Sequence, residues 1–173
     1  LYLGKDHKFY DYPAYIEKNF EAEQIVSDLA QDFAERSIAP PRDKTLLSQM
    51  IYYGKIYYLK DLLIPSSTDA QKIGYSPEEI IWSEENESYM WRYFIEKEML
   101  YSDEPKLTTR FINTAPFSKF YLEIDNESPG RVGTWIGWQI VRSYMNNNDV
   151  SIEQLLKTNA KEIFEKSKYK PKK

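Results

Sequence analysis

The chain has 173 residues, 42% of them hydrophobic, with 23 basic and 27 acidic side chains giving a net charge of −4. That length closes one hydrophobic core, and interspersed, mildly acidic charge argues against a nucleic-acid-binding face. Cysteine is absent, which excludes disulfide staples and thiolate chemistry, and no run approaches the ~20 apolar residues that span a bilayer.

Residues Leu1 to Tyr15, with Tyr10, Tyr12 and Tyr15 around Pro13, read as an extended opening. Because the first residue is Leu1, the sequence reads as trimmed, and a signal peptide or lipid anchor would lie outside it. From Phe20 to Arg36 the residues Ala22, Ile25, Val26, Leu29, Phe33 and Ala34 form the stripe of an amphipathic helix, which Pro40 and Pro41 end. Asp43 or Thr45 can cap a second helix through Leu46, Leu47, Met50, Ile51, Tyr53, Gly54, Tyr57, Tyr58 and Leu62. Apolar and aromatic residues nearly encircle it, as in a central buried helix, and Pro65 ends it. Ser76-Pro77-Glu78-Glu79 is a capping box opening a third helix whose body runs from Ile80 to Met99.

Pro105 opens a short helix reaching Phe111. Phe117 to Ile124 is the best strand candidate, and Asp125 to Gly130 reads as a turn. Arg131 to Tyr144 forms a helix with Gly133, Ile136, Gly137, Ile140, Val141 and Tyr144 on one stripe. Its two glycines, four apart, let a neighbouring helix approach closely. Asn146-Asn147-Asn148 stops it. Capping boxes at Ser151 to Gln154 and Asn159 to Glu162 start two short terminal helices. No repeat or linker interrupts the chain, so residues 1–173 read as one helical domain.

Few residues carry chemistry. A histidine zinc site takes two or three imidazoles, and the chain has His7 alone, beside Asp6 in the opening. Asp125, Asn126 and Glu127 do not match a calcium loop and suit a turn. Glu84, Glu85 and Glu87 read as a solvated helix face, and the tail Lys166, Lys168, Lys170, Lys172 and Lys173 as a solvated end. No nucleophile elbow and no phosphate loop is present.

Three stretches carry a resemblance. Asp11-Tyr12-Pro13-Ala14-Tyr15, the run from Phe33 to Pro65 and the run from Asn126 to Met145 resemble the gliding motility lipoprotein GldB family. The third helix, with Trp82, Trp91-Arg92-Tyr93 and Met99-Leu100-Tyr101, extends the likeness to essentially the whole chain, as the C-terminal part of such a protein. The resemblance implies a lipid-anchored, periplasm-facing component of a Gram-negative envelope whose partners are other gliding or secretion machinery proteins, with no nucleic acid, and which touches membrane only through an anchor outside this chain.

A more distant similarity joins Lys44-Thr45-Leu46-Leu47 through Tyr53-Gly54, then Gly133-x-x-Ile136-Gly137 and Ser151-Ile152-Glu153-x-Leu155-Leu156. These are similar to predicted HExxH zinc proteases. That likeness implies a metal-binding glutamate where this chain has Tyr53, and an HExxH helix over Phe20 to Arg36, which holds no histidine. Asp28, Asp32 and Glu35 cannot recreate such a site.

The expected fold is therefore mainly α: a single multi-helix domain on a degenerate zincin-like scaffold, with at most one or two short strands. The expected function is non-catalytic, by protein–protein interaction, with no cofactor and no metal. Asp125, Glu127, Arg131 and Trp138 form the candidate interaction surface, although Trp135 and Trp138 also suit a core and Arg131 could pair with Asp125 or Glu127. Asp28, Asp32, Tyr53 and Tyr57 mark the former active-site region. Residual hydrolysis, or ligand binding in that cleft, are the alternatives.

Overall fold

The computed structural model describes residues 2–9 and 11–172. Leu1 and Tyr10 of the predicted extended opening, Lys173 of the basic tail and the side chains of Glu123 and Ile124 lie outside the described residues. Ten α-helices follow one another among the described residues: α1 (Ala14–Glu17), α2 (Gln24–Ser37), α3 (Leu46–Leu63), α4 (Asp69–Ile73), α5 (Pro77–Glu85), α6 (Glu87–Glu96), α7 (Pro105–Phe111), α8 (Val132–Asn147), α9 (Ile152–Lys157) and α10 (Ala160–Ser167). No strand occurs among the described residues, so the fold is all-helical.

The architecture grows from the α3–α8 pair, with α2 on one side of α3 and α10 against both. Two glycines set the separation of the central helices. A Cβ on Gly137 would stand 1.9 Å from the Met50 carbonyl oxygen, and one on Gly54 would stand 2.3 Å from the Gly137 carbonyl oxygen. Backbone thus meets backbone, and the stripe expected from Gly133 and Gly137 is the close-approach face of α8. Trp135, Ile136, Trp138, Ile140 and Val141 are all buried around it. Beside this pair, Phe94, Phe111 and Phe120 pack ring against ring, with centroids 5.0 Å and 5.2 Å apart along the series, in the tilted and edge-on geometry that aromatic quadrupoles favour.

Most helix starts are where the capping residues put them. The Ser48 N–H donates to Thr45 Oγ1 at 3.3 Å, and reciprocal bonds join Ser76 to Glu79 at the head of α5. Ser151 and Asn159 accept from Gln154 and Glu162 at the heads of α9 and α10.

Several expectations are corrected. The predicted third helix is two helices, because Asn86 interrupts it: its side-chain amide donates to the Trp82 carbonyl at 2.9 Å, a local bond that competes with helix continuation. The second of them ends before Met99, where Glu98 adopts a left-handed φ of 53°. The short helix α4, capped by a Thr68–Gln71 box, was not expected. The candidate strand Phe117 to Ile124 forms no strand pairing among the described residues. Its N–H groups at Phe120, Tyr121 and Leu122 instead donate to the Asp125 carboxylate at 3.0, 2.9 and 3.2 Å, a hydrogen-bonded loop running into a short 3-10 turn. The opening is not wholly extended, since Ala14 and Tyr15 begin α1.

Glu87 is not part of a solvated face. It is buried, and accepts from the Tyr169 hydroxyl at 2.8 Å and the Lys172 N–H at 3.2 Å. With Lys172 Nζ also 2.8 Å from Glu84, the basic tail is tied down against α5 and α6.

The largest correction concerns α2. Its buried residues are the small Ser27, Ala30 and Ala34, with Ser27 against α4, where it donates to the Gln71 and Lys72 carbonyls, and Ala34 packed on Ile56 and Leu59 of α3. The larger residues of the predicted core stripe face outward.

Candidate functional site

Two adjoining cavities, of about 310 and 230 Å3, open where α2, α3 and the start of α8 converge, and both are lined by Gln31, Thr114 and Arg131. The larger reaches Asp28, Gln24 and the opening segment through Tyr2 and Phe20. The smaller is walled by Glu35 from α2, Tyr53 and Tyr57 from α3, and Thr134 from α8. Helical spacing explains the gathering: Asp28, Gln31 and Glu35 lie three and four apart on α2, and Tyr53 and Tyr57 lie four apart on α3, so each set shares one face.

Of the four residues expected in the former active-site region, Asp28, Tyr53 and Tyr57 line these cavities. Asp32 does not; it is exposed and pairs with Arg36 at 3.0 Å. Asp28 accepts from the Tyr2 hydroxyl at 2.7 Å, and that hydrogen bond pushes the phenol's pKa upward. Burial, then the negative charge of Glu35, raises the pKa of Tyr53, while Arg131 pulls it the other way. Burial raises the pKa of Tyr57 too, so Tyr53 and Tyr57 are both neutral hydroxyls at physiological pH.

The residues expected as an interaction surface are not brought together. Asp125 holds the loop described above. Arg131 pairs with neither Asp125 nor Glu127: at a left-handed φ of 65°, it sends its guanidinium inward to Tyr57 Oη at 3.1 Å and the Ile73 carbonyl at 2.6 Å. Trp138 is 0% exposed. Its indole N–H donates to Asp61 at 2.9 Å, and the Arg142 guanidinium lies 3.8 Å from its ring centroid. Glu127 is exposed and stands apart from these.

Asp61 centres an ion network that sequence reasoning missed. It accepts from Arg142 Nη2 at 2.7 Å and Lys72 Nζ at 2.9 Å, and Arg142 also grips Asp69 at 2.6 Å. Burial alone would raise the Asp61 pKa, but these donors outweigh it and hold the carboxyl below its ordinary range.

Beneath the cleft lies a second unforeseen group. Lys60 is 0% exposed, donates to the Lys72 carbonyl and to Gln31 Oε1, and sits 5.0 Å from the Tyr57 ring centroid. Burial lowers its pKa to about 7. Lys55, donating to the Leu156 and Thr158 carbonyls at 3.1 and 2.7 Å, is lowered to about 8 for the same reason. The only sequence signal was negative: two lysines inside an otherwise apolar helix.

Among the described residues no group of three His, Cys, Asp or Glu side chains gathers closely enough to hold an ion, and His7 lies in the exposed opening.

On its outer side α2 presents a different feature. Ile25, Val26, Leu29 and Phe33 are 37%, 56%, 65% and 59% exposed. They form one stripe, beside which the exposed Asp32 and Arg36 pair with each other.

Fold and site together define a small all-helical protein with a polar cleft on one side of α2 and an apolar stripe on the other. The chain matches the family described as gliding motility protein GldB over residues 1–171, and it belongs to that family. It is thus a gliding motility protein. No curated protein and no solved structure matches it.

Proposed function

We propose that this chain is a non-catalytic component of the gliding machinery that works by binding another protein through the outer face of α2. The observation that carries the proposal is the exposed stripe Ile25, Val26, Leu29 and Phe33. A helix normally turns its large apolar residues inward. Here small residues fill that role, and four large side chains lie side by side in water, as at interaction sites. The cation beside the stripe, Arg36, is paired with Asp32, so no basic cluster among the described residues accompanies the apolar side chains, which favours a protein partner with an apolar groove over an anionic lipid surface.

On this reading the scaffold is related to HExxH zinc proteases and has lost their chemistry. The support is the donor set: α2, the helix that the resemblance equates with HExxH, offers Asp28, Gln31 and Glu35 to the cleft, and Tyr53 stands in the position of the ligating glutamate. Carboxylate, amide and phenol replace two imidazoles, and such a set does not suit zinc. The protein acts from the envelope of a Gram-negative bacterium, held by a lipid anchor outside these residues. No helix among the described residues is long and apolar enough to cross a membrane, in keeping with that arrangement.

The test is a Leu29→Asp, Phe33→Asp double variant of the lipid-anchored protein. Both positions are solvent-exposed, so stability should move by no more than about 0.5 kcal/mol per site. Gliding and co-purification with a machinery protein should both be lost. Normal gliding by a stably folded double variant would refute the proposal.

A further inference from the structure

Arg131 holds its charge in an unusual setting. It is partly buried at the junction of the two cavities, and among the described residues no carboxylate lies within 4 Å of it. Its hydrogen bonds go to a phenol and a backbone carbonyl, both neutral. An enclosed guanidinium ordinarily meets an anion.

A second, independent group points into the same space. Thr134 lines the smaller cavity and is 1% exposed, yet its Oγ1 has no hydrogen-bond partner within the protein. It lies in the first turn of α8, whose dipole favours negative charge there. Across the cleft the balance reverses. Asp28 and Glu35 accept bonds from Tyr2, Gln24 and Gln31, but neither is paired with a cation among the described residues. One wall thus offers an uncompensated cation and an orphaned hydroxyl, and the other two uncompensated carboxylates.

We infer that this cleft binds a small zwitterionic ligand of the amino-acid or short-peptide class, its carboxylate on Arg131 and Thr134 and its ammonium toward Glu35 and Asp28. Cavities of this size hold a dipeptide-sized molecule. The polar lining, with Tyr53, Gln31, Asn113 and Thr114, supplies donors and acceptors for its amide. The inference is independent of the α2 interface, which lies on the opposite side of that helix.

The test is calorimetric titration of the protein with alanyl-alanine, its N-acetyl form and its C-terminal amide. Saturable binding of the dipeptide is expected, weakened about ten-fold or more by either blocking group, as when a hydrogen bond to a charged group is lost. Arg131→Gln could disturb folding, so the decisive variant is Thr134→Val, which removes an unpartnered hydroxyl and should leave the melting temperature unchanged or higher. It should weaken the dipeptide and the N-acetyl form alike, whereas Glu35→Gln should weaken only ligands with a free amine. No saturable heat with the dipeptide would overturn the inference. So would equal affinity for all three probes, or binding that neither variant alters.

Discussion

Lys60 makes the stability of this protein rise with pH across the neutral and alkaline range, well above the acid range in which carboxylate ion pairs titrate. Its amine ionises near the ordinary 10.5 in the unfolded chain and near 7 in the folded one. The folded state therefore binds fewer protons between those limits, and stability rises with pH. The sign follows directly: the penalty is fully present below pH 7, shrinks as pH climbs, and is gone above 10.5. A fall from 10.5 to about 7, at about 1.4 kcal/mol for each pH unit, costs the folded state about 5 kcal/mol in acid. Between pH 7 and pH 9 about 2 kcal/mol of that returns. Lys55, lowered to about 8, adds about 1 kcal/mol over the same range. Urea denaturation at pH 7, 8 and 9 should show the midpoint moving upward for the native sequence. In Lys60→Met the rise should shrink to the part due to Lys55, even though Gln31 and the Lys72 carbonyl lose a donor. An unchanged slope in the variant would refute the reasoning, because it would mean Lys60 keeps its charge in the fold at little cost.

Other substitutions probe the frame. Gly137→Ala places a Cβ against the Met50 backbone, so α3 and α8 must separate; a net loss of about 2 kcal/mol is expected from overpacking less the helix-propensity gain, read as a lower denaturation midpoint. Asp61→Ala strands Lys72, leaves Arg142 with Asp69 alone and removes the acceptor of the Trp138 indole. It should cost about 3 kcal/mol, with a changed tryptophan fluorescence spectrum. Asp125→Ala leaves three loop N–H groups without their acceptor and should cost about 1–2 kcal/mol, seen as faster amide exchange at Phe120 to Leu122.

Much of the fold was legible because the relevant signals are local. Thr45, Ser76, Ser151 and Asn159 act on N–H groups three residues away, so helix starts can be read from short segments. The glycine stripe of α8 was legible too, since a missing side chain on a periodic face has few other uses. What could not be read depends on which neighbour a helix meets. The stripe of Ile25, Val26, Leu29 and Phe33 has the same period whether it faces a core or solvent, and only the packing of Ser27, Ala30 and Ala34 against α3 and α4 decides between them. Trp138 and Arg131 likewise belong to side chains distant in sequence, Asp61 and Tyr57. Half of the cleft was visible through Tyr53, Tyr57 and Asp28. Thr134 and Gln31 were not, because nothing marks an ordinary polar residue as unpartnered until its surroundings are known.

The most direct measurement places a photo-crosslinking amino acid at position 29 of the lipid-anchored protein in gliding cells. A second strain carries it at the exposed Asp149, in the loop between α8 and α9. Illumination should join position 29 to one discrete gliding-machinery protein and position 149 to none, with the adduct abolished by Phe33→Asp. Identical products from both positions, or adducts with lipid alone, would contradict a protein-binding role for α2.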